Sequence, residues 1–456
     1  MIPQPFLQLF SLLLCMLVLL CMSFENHSSC KTDAAIDNIR LSESIASLAE
    51  IGATPLDAVK RLSFTPEDNA ARALIIEWMN GAGMDVKVDS AGNIIGTYPS
   101  ILNQSGIPSL ATGSHIDTVP TGGKYDGALG VLAGLEVVRT LHEHGERLLH
   151  PIEVIVFTDE EKTLIGSKAM SGRLDFATLK ASDFTTSIGE PIDKCLELIG
   201  GNFQDIAAAV KDPSSIAAFV ELHVEQGGVL EKRGDSIGVV QGIVGQKRFS
   251  ISIDGVPNHA GTTPMDMRSD ALVAASKLIL VVESAAKSYT GPGDPVATVG
   301  SLELWPNAAN IVPGQVNMTL EMRDLHVESL NGILDIVMEE SRRIMEETKT
   351  QISILPQFST DATLAAEFIQ ETIAEASTVL NLTYSSLPSR AVHDAQEIGK
   401  IWPMGMIFVP SKGGYSHSHL EYTSPQQCAD GAAVLMQTFR ILDARLPLQV
   451  PPITAA

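Results

Sequence analysis

Four apolar runs in this chain are each followed by histidine or acidic residues, and this arrangement constrains the fold more than any other feature of the sequence. The run 107–112 leads to His115, and the run 152–158 ends at the acidic triplet 159–161. Short apolar runs bounded in this way are typical of buried strands. The carboxyl ends of strands in an open α/β sheet lie at one edge, where such sheets bind their ligands. We therefore expect an α/β sheet with a polar site at that edge.

The other two runs end near further histidines. An alternating stretch that begins at residue 219 carries His223 near its end, and the run 404–410 precedes a Gly-Gly pair and then His417. A single histidine beside a strand is more often structural than a metal ligand. Four strand ends that together supply three histidines and several carboxylates favour a metal site, because a cation relieves the repulsion between clustered carboxylates. A solvated helix N-terminus is the alternative for the acidic triplet.

The segment after His115 contains two acidic residues with different expected roles. Asp117 follows two residues later, and we expect its carboxylate to accept a hydrogen bond from the second imidazole nitrogen, as carboxylates beside metal-bound histidines do. Three nearby glycines let the loop bend back, so that Asp126 also reaches the metal. An ordinary structural loop is the alternative.

Five residues from these segments form a set that suits two metal ions: His115, Asp126, Glu161, His223 and His417. Asp126 is the natural bridge between the two ions. Nitrogen and oxygen ligands without sulfur favour Zn²⁺ or Mn²⁺ over a structural thiolate zinc site. Adjacent carboxylates can also divide the work, with one as a ligand and the other as a base.

Eight motifs give the chain a family resemblance: residues 61–68, 115–127, 157–161, 223–227, 259–264, 310–314, 393–394 and 416–417. With these motifs the chain resembles the hydantoinase/carbamoylase branch of the aminoacylase/carboxypeptidase dinuclear metallohydrolases. That branch contains N-carbamoyl-L-amino-acid hydrolases, allantoate amidohydrolases and ureidoglycolate amidohydrolases. The resemblance implies the same five ligands, with Asp126 bridging two divalent ions per subunit, Mn²⁺ or Zn²⁺. It also makes Glu160 the general base.

The resemblance further implies which residues hold the substrate: Gln226, His259, Asn310, Arg323 and His393. Arg323 can bind a substrate carboxylate through two parallel N–H groups, and Asn310 can add a directional hydrogen bond. His259 can donate to a carbonyl oxygen as negative charge develops there, which is a catalytic role. In the family this histidine reaches across a dimer interface, which implies a homodimer.

Several of these residues also have simpler explanations, which the sequence leaves open. Arg323 could form only an ion pair with Glu321 or Asp324. Asn310 could be only a turn residue, and the pair 393–394 could be a helix cap.

The chain departs from the family directly after Glu161. Only residues 162–165 precede Gly166, where the family usually has a longer loop that contains Arg-Phe. Because that loop borders the substrate pocket, the deletion affects the identity of the substrate more than metal binding. The sequence leaves the substrate open among allantoate, ureidoglycolate and an N-carbamoyl-L-amino acid.

The order of the predicted elements divides the chain into domains. Apolar strands alternate with helical patterns over 38–243, and we expect the same domain to resume over 357–446, giving a mixed-sheet α/β/α catalytic domain in two parts. We predict that residues 244–356 form an inserted α+β domain, which the resemblance makes a lid and dimerisation domain. Its alternating, strand-like stretches are 248–254, 297–304 and 315–322.

The formal net charge is −23, which argues against nucleic acid and anionic membrane surfaces as partners, because both repel an acidic protein.

Residues 1–30 contain a strongly apolar stretch that predicts a signal peptide, with a retained signal anchor as the alternative. We therefore expect the secretory route, meaning the endoplasmic reticulum, the periplasm or the extracellular space.

These observations predict a metal-dependent amidohydrolase. Its partner would be a small, linear ureido or N-carbamoyl carboxylate, whose C–N bond it cleaves with release of ammonia and CO₂. A metallo-exopeptidase or aminoacylase of the same clan is the main alternative, although the motif 223–227 argues against it. A catalytically inactive binding protein is less favoured, because every ligand and base position is filled.

Overall fold

The computed structural model describes residues 34–102, 104–175, 186 and 188–448. The predicted signal peptide or signal anchor, residues 1–30, lies outside the described residues. Within the part of the chain that is described, no helix combines the length and the apolar character needed to cross a membrane.

The strands are β1 (Asp85–Val88), β2 (Ile94–Tyr98), β3 (Ser109–His115), β4 (Ile152–Phe157), β5 (Ile216–Val224), β6 (Ile237–Ile243), β7 (Gly245–Asp254), β8 (Asn258–His259), β9 (Val296–Trp305), β10 (Ile311–Val312), β11 (Gln315–Asp324), β12 (Gln351–Thr360), β13 (Thr363–Leu364), β14 (Tyr384–Ser389) and β15 (Met404–Val409). The α-helices are α1 (Asn38–Glu50), α2 (Pro66–Gly81), α3 (Ala128–Glu143), α4 (Ile165–Met170), α5 (Ile192–Leu198), α6 (Val229–Arg233), α7 (Ala271–Lys287), α8 (Val327–Thr348), α9 (Glu367–Val379), α10 (Asp394–Ile398) and α11 (Pro425–Arg445).

The larger sheet has nine strands in the order β1-β2-β4-β3-β5-β15-β6-β13, with β14 also paired to β6. In its centre β3 runs parallel to both β4 and β5, and β15 runs parallel to β5. Towards the edges β2 and β6 form antiparallel pairs. Every residue of β3, β4 and β15 is buried, as expected of strands covered on both faces. The predicted α/β class with a mixed sheet is confirmed.

Helices pack on both faces of this sheet. Alternation along β5 places Leu222 on one face and Glu221 on the other. The first face is covered by α3 and α11, where a Cβ added to Gly130 would lie 2.4 Å from the carbonyl oxygen of Leu222, and one added to Gly431 would lie 2.8 Å from its side chain. On the second face Glu221 accepts a hydrogen bond of 3.0 Å from the backbone N–H of Ala395 in α10.

A separate four-stranded antiparallel sheet, in the order β12-β7-β11-β9, lies between residues 245 and 360. Helices α7 and α8 share a hydrophobic core with it. Alternate residues of β11 from Val316 to Met322 are buried in that core, whereas Arg323 is only half-buried and lies on the opposite face. The three strand-like stretches predicted for this region fall within β7, β9 and β11. The boundaries 244 and 356 stay predictions.

Candidate metal centre

Two buried histidines meet at the carboxyl edge of the large sheet. His115 is the last residue of β3, and His223 lies one residue before the end of the adjacent, parallel β5. Their ring centroids are 6.2 Å apart. The Nδ1–H of His115 donates to the backbone carbonyl of Asp117 at 3.0 Å, and that of His223 to the carbonyl of Val224 at 2.8 Å. Both rings therefore present Nε2 to Asp126, as metal ligands would.

Asp117 supports His115 with a different oxygen from the one we expected. The acceptor is its backbone carbonyl, whereas its carboxylate lies 3.7 Å from the imidazole Nδ1. The carboxylate instead faces the backbone N–H groups of Glu160 and Glu161, at 3.4 and 3.3 Å. Asp117 thereby connects the end of β3 to the acidic segment that follows β4.

Asp126 lies between three histidines. Its Oδ1 is 3.1 Å from Nε2 of His223 and 3.9 Å from Nε2 of His115, and its Oδ2 is 3.2 Å from Nε2 of His417. The next residue, Gly127, has a φ of 63°, and a Cβ there would overlap the ring of His115, so the loop needs glycine at this point. One oxygen of this carboxylate thus faces His115 and His223, and the other faces His417, which is the arrangement that a bridging ligand needs.

The acidic residues after β4 complete the cluster. Glu161 Oε2 lies 3.6 Å from Nε2 of His417, and Glu160 Oε2 lies 3.6 Å from Nε2 of His115. Candidate ligand atoms within 4.8 Å of one another form two groups that share Asp126: His115, Asp126 and His223, and Asp126, Glu161 and His417. The structure therefore brings together all five predicted ligands and places Glu160 beside them.

A third group of candidate ligand atoms was missed by sequence reasoning. It consists of Glu221, His223 and His393, again with atoms within 4.8 Å of one another. Glu221 lies two residues before His223 on a strand, and this spacing was the available signal, since it places both side chains on one face. Its carboxylate accepts hydrogen bonds from Ser114 Oγ at 2.7 Å and from the backbone N–H of Ala395.

The charges of the cluster fit a divalent cation. Burial, reinforced by neighbouring carboxylates, raises the pKa of Glu160 well above its usual value. Burial, reinforced by Asp126, raises the pKa of Glu161 to about 8. Burial also acts to raise the pKa of Asp126, but hydrogen bonds with His223 and His417 hold it well below its usual value. A divalent cation supplies the positive charge that these crowded carboxylates need, and the oxygen and imidazole donors suit it.

A cavity of about 380 Å³ opens onto the cluster. Its walls include Glu160 and three of the predicted substrate-binding residues, Gln226, Arg323 and His393. Gln226 donates from Nε2 to Oδ2 of Asp126 at 3.0 Å. Its Oε1 is buried and has no hydrogen-bond partner among the described residues. A buried amide oxygen without a partner can accept a hydrogen bond from an N–H group of a bound ligand.

Comparison with known proteins identifies the family. The family model described as peptidase family M20/M25/M40 matches residues 111–440. The chain belongs to this family.

Relatives of this M20 chain include amidohydrolases. An N-carbamoyl-L-amino acid amidohydrolase of Geobacillus stearothermophilus is 37% identical over 408 residues, covering 88% of this chain and 98% of the relative. A ureidoglycolate hydrolase of Arabidopsis thaliana is 34% identical over 415 residues, covering 89% and 86%. The crystal structure of a hydantoinase/carbamoylase family amidase from Burkholderia ambifaria has 30% identity and a TM-score of 0.83, covering 91% and 99%. The family resemblance predicted from the motifs is confirmed, and this M20 chain is a hydrolase.

The short segment after Glu161 forms part of the cavity wall in this M20 chain. Lys162 donates from Nζ to the carbonyl of Thr186 at 2.7 Å, and Lys168 donates to the carbonyl of Thr163 at 2.8 Å. Both lysines line the cavity. Lys162 and Lys168 therefore give this cavity a partly cationic wall.

Arg323 lines the cavity but is already partly engaged. Its Nε and Nη2 lie 2.8 and 2.6 Å from Oε1 of Glu321, and its Nη1 donates to the carbonyl of Arg390 at 2.7 Å. The ion pair with Glu321, which was the simpler explanation of this residue, is therefore present. These contacts use three of the five guanidinium N–H groups, and the other two remain available to another acceptor.

His259 and Asn310 lie apart from the cavity. Both are exposed. His259 lies in β8 and pairs with Ile311 of β10, and Asn310 lies in the turn directly before β10, where its carbonyl accepts a hydrogen bond from Ala260. The Nδ1 of His259 accepts the backbone N–H of Gly261 at 3.0 Å, which leaves Nε2–H as a donor. Two of the five predicted substrate-binding residues are thus separated from the other three within one chain.

Glu421 was not among the predicted site residues, yet it fixes the loop that carries Asp126. Its Oε1 accepts the backbone N–H groups of Tyr125 and Asp126, at 2.9 and 3.0 Å, and the side chain is buried. Gly123 leaves the space for it, since a Cβ there would lie 2.2 Å from Oε1. Glu421 thereby ties the Asp126 loop to the segment that carries His417.

We expect Glu421→Ala to weaken metal binding about tenfold or more, because two buried N–H groups beside Asp126 lose their acceptor. Glu421→Gln keeps an oxygen in the same place and is expected to bind metal nearly as the wild type does. Titration calorimetry with Mn²⁺ gives both affinities, and thermal unfolding of the metal-free variants shows whether either is simply unstable. Equal affinity of the wild type and Glu421→Ala would remove this role from Glu421.

Proposed function

We propose that the protein is a metal-dependent amidohydrolase that cleaves the C–N bond of a linear ureido or N-carbamoyl carboxylate and releases ammonia and CO₂. The observation that carries the proposal is Asp126, which is shared between two groups of three candidate ligands at the sheet edge. The relatives named for N-carbamoyl-L-amino acids and for ureidoglycolate support a substrate with a ureido group. The residues proposed to hold two divalent ions, Mn²⁺ or Zn²⁺, are His115, Asp126, Glu161, His223 and His417.

The proposed chemistry is hydrolysis with Glu160 as the proton carrier. Divalent ions bound at this site would lower the pKa of a nearby water and polarise the substrate carbonyl. Glu160 is buried in the cavity wall with a raised pKa, so its carboxylate can take a proton from the attacking water and return it to the leaving nitrogen. Loss of the terminal nitrogen gives ammonia and a carbamate, and the carbamate then gives CO₂ and the parent amine.

Three cavity residues are proposed to position the substrate. Arg323 holds the carboxylate with its two remaining N–H groups. Gln226 accepts an N–H of the ureido group through its unpaired Oε1. Burial holds the pKa of His393 well below its usual value, so this ring adds no positive charge. Its Nε2–H donates to Ser389 Oγ at 2.8 Å, which leaves Nδ1 to accept a hydrogen bond from the substrate.

We also propose a homodimer in which each subunit completes the site of its partner through His259 and Asn310. Both side chains are exposed and lie outside the cavity of their own chain. With Nδ1 occupied, His259 presents Nε2–H as a donor, which is what stabilisation of a developing oxyanion needs.

Mixing two inactive variants tests this shared site. His259→Ala and Glu160→Gln are each expected to lose most of the activity alone. In a mixed dimer one site combines Glu160 of one subunit with His259 of the other, so co-expressed chains should recover up to about a quarter of the wild-type activity. Absence of recovery in a verified mixed dimer, or a monomer in sedimentation, would contradict the shared site.

Ammonia release from the ureido compounds, together with the free amino acids released from the dipeptide and the N-acyl amino acid, tests the proposed reaction. Protein loaded with Mn²⁺ or Zn²⁺ is supplied with allantoate, ureidoglycolate, several N-carbamoyl-L-amino acids, an N-acyl amino acid and a dipeptide. We expect ammonia from at least one ureido compound and no cleavage of the dipeptide. Cleavage of the dipeptide or the N-acyl amino acid alone would favour the metallo-exopeptidase or aminoacylase alternative. No turnover of any compound would favour a binding protein.

A further inference from the structure

A second cavity adjoins the one at the metal centre. Each has a volume of about 380 Å³. Gln226, Arg323 and Ala391 line both, so the two cavities meet at these residues. Among the described residues that line the second cavity, none is a candidate metal ligand. The second cavity is therefore placed to hold a part of the substrate other than the group that reacts.

The second cavity combines apolar and cationic side chains. Val229, Leu387 and Phe408 supply hydrocarbon surface, and Arg233 and Arg390 supply two guanidinium groups. This combination suits a short hydrocarbon chain that ends in an anionic group.

Arg390 carries a guanidinium nitrogen without an acceptor. Its Nη2 donates to the backbone carbonyl and to Oδ2 of Asp294, at 2.7 and 2.8 Å. Its Nη1 is buried and has no hydrogen-bond partner among the described residues. A buried, charged donor without an acceptor is costly, so this nitrogen points to an acceptor that arrives with a ligand.

The acidic residues of the wall are already engaged. Both carboxylate oxygens of Glu225 accept backbone N–H groups at the start of α6, at 2.7 and 2.9 Å. Asp294 is paired with Arg390 and is largely exposed. The Nη1 of Arg233 donates to a neutral serine hydroxyl at 3.1 Å. The lining of the second cavity therefore carries three guanidinium groups, those of Arg233, Arg323 and Arg390, against two carboxylates, and both carboxylates are already engaged.

We infer that the second cavity binds a carboxylate at the end of the substrate's side chain, so that the preferred substrates are N-carbamoyl derivatives of acidic amino acids. Arg323 stands at the junction and holds the α-carboxylate, while the ureido group extends to the metal centre and the side chain extends to Arg390. The hydrogen bond from Arg323 to the carbonyl of Arg390 fixes the position of the α-carboxylate relative to that of the side-chain carboxylate. This inference rests on the proposed amidohydrolase function and selects one class among its candidate substrates.

Kinetics with matched acid and amide pairs test the inference. N-carbamoyl-L-aspartate is compared with N-carbamoyl-L-asparagine, and N-carbamoyl-L-glutamate with N-carbamoyl-L-glutamine. For the wild type we expect kcat/KM to be about tenfold or more higher for the acids, mainly through a lower KM. Equal or higher values for the amides or for ureidoglycolate overturn the inference. If no ureido compound releases ammonia with either metal, the proposed function itself fails, and the inference fails with it.

Two variants assign the preference to its residue. Arg390→Met is expected to lower the acid-to-amide ratio of kcat/KM about tenfold or more. Asp294→Asn is the matched control, because it removes the carboxylate charge beside Arg390 and keeps the guanidinium group, so the preference for acids should persist. The ratio is taken within each variant, and a partial loss of folded protein therefore cancels. An unchanged ratio in Arg390→Met overturns the inference.

Discussion

Replacing Glu160 with glutamine is expected to reduce kcat by about 10²- to 10⁴-fold while the metal content stays that of the wild type. Glutamine has nearly the same shape as glutamate but cannot take a proton from water and pass it on. Glu160 belongs to neither of the two ligand groups that share Asp126, so both groups remain intact in this variant. Steady-state kinetics together with elemental analysis of the purified protein measure the two quantities.

The control for this experiment is Glu371→Gln, which makes the same chemical change at an exposed position on α9. It should keep both the activity and the metal. Near-normal turnover in Glu160→Gln would remove the general base from this account. A parallel loss of metal and activity would instead make Glu160 a ligand.

Asp126→Asn is expected to weaken metal binding by about 100-fold or more and to abolish activity. The carboxylate is shared between two groups of candidate ligands, so one substitution removes an anionic oxygen from both. Metal binding needs deprotonated ligands, and an amide nitrogen in place of an oxygen cannot take that role. Competition with a chelator, followed by activity at saturating metal, measures the expected loss.

A second buried Asp–His pair offers a matched control. Asp443 Oδ1 lies 2.9 Å from Nδ1 of His150, and neither residue lines the metal-site cavity. Asp443→Asn should lower stability and leave metal affinity unchanged. If Asp126→Asn keeps wild-type affinity for metal, Asp126 is not the shared ligand and the two-ion site is wrong.

The sequence predicted the parts of the site that depend on strand order and alternation. His115 ends β3 and His223 lies one residue before the end of β5, and the parallel pairing of these two strands brings their carboxyl ends to one edge of the sheet. The acidic residues after β4 reach the same edge for the same reason. Period-two alternation predicted three of the four strands of the second sheet, β7, β9 and β11, because each buries one face on α7 and α8. The fourth strand, β12, was not predicted.

The parts that the sequence did not predict depend on contacts between distant segments or on local backbone direction. Glu421 is 295 residues from Asp126 along the chain, and no local pattern relates the two loops. Asp117 was identified correctly as a neighbour of His115, but whether its carbonyl or its carboxylate meets the ring depends on how the chain turns after β3. His259 and Asn310 lie outside the cavity of their own chain, and their place in the active site stays a prediction.

The central claim is that hydrolysis depends on two metal ions held around Asp126. Its most direct test is ammonia release from a saturating ureido carboxylate during stepwise addition of Mn²⁺ to chelator-stripped protein. The account predicts no release before metal is added and a rise that levels off at about two equivalents per chain. Full release from metal-free protein would contradict it.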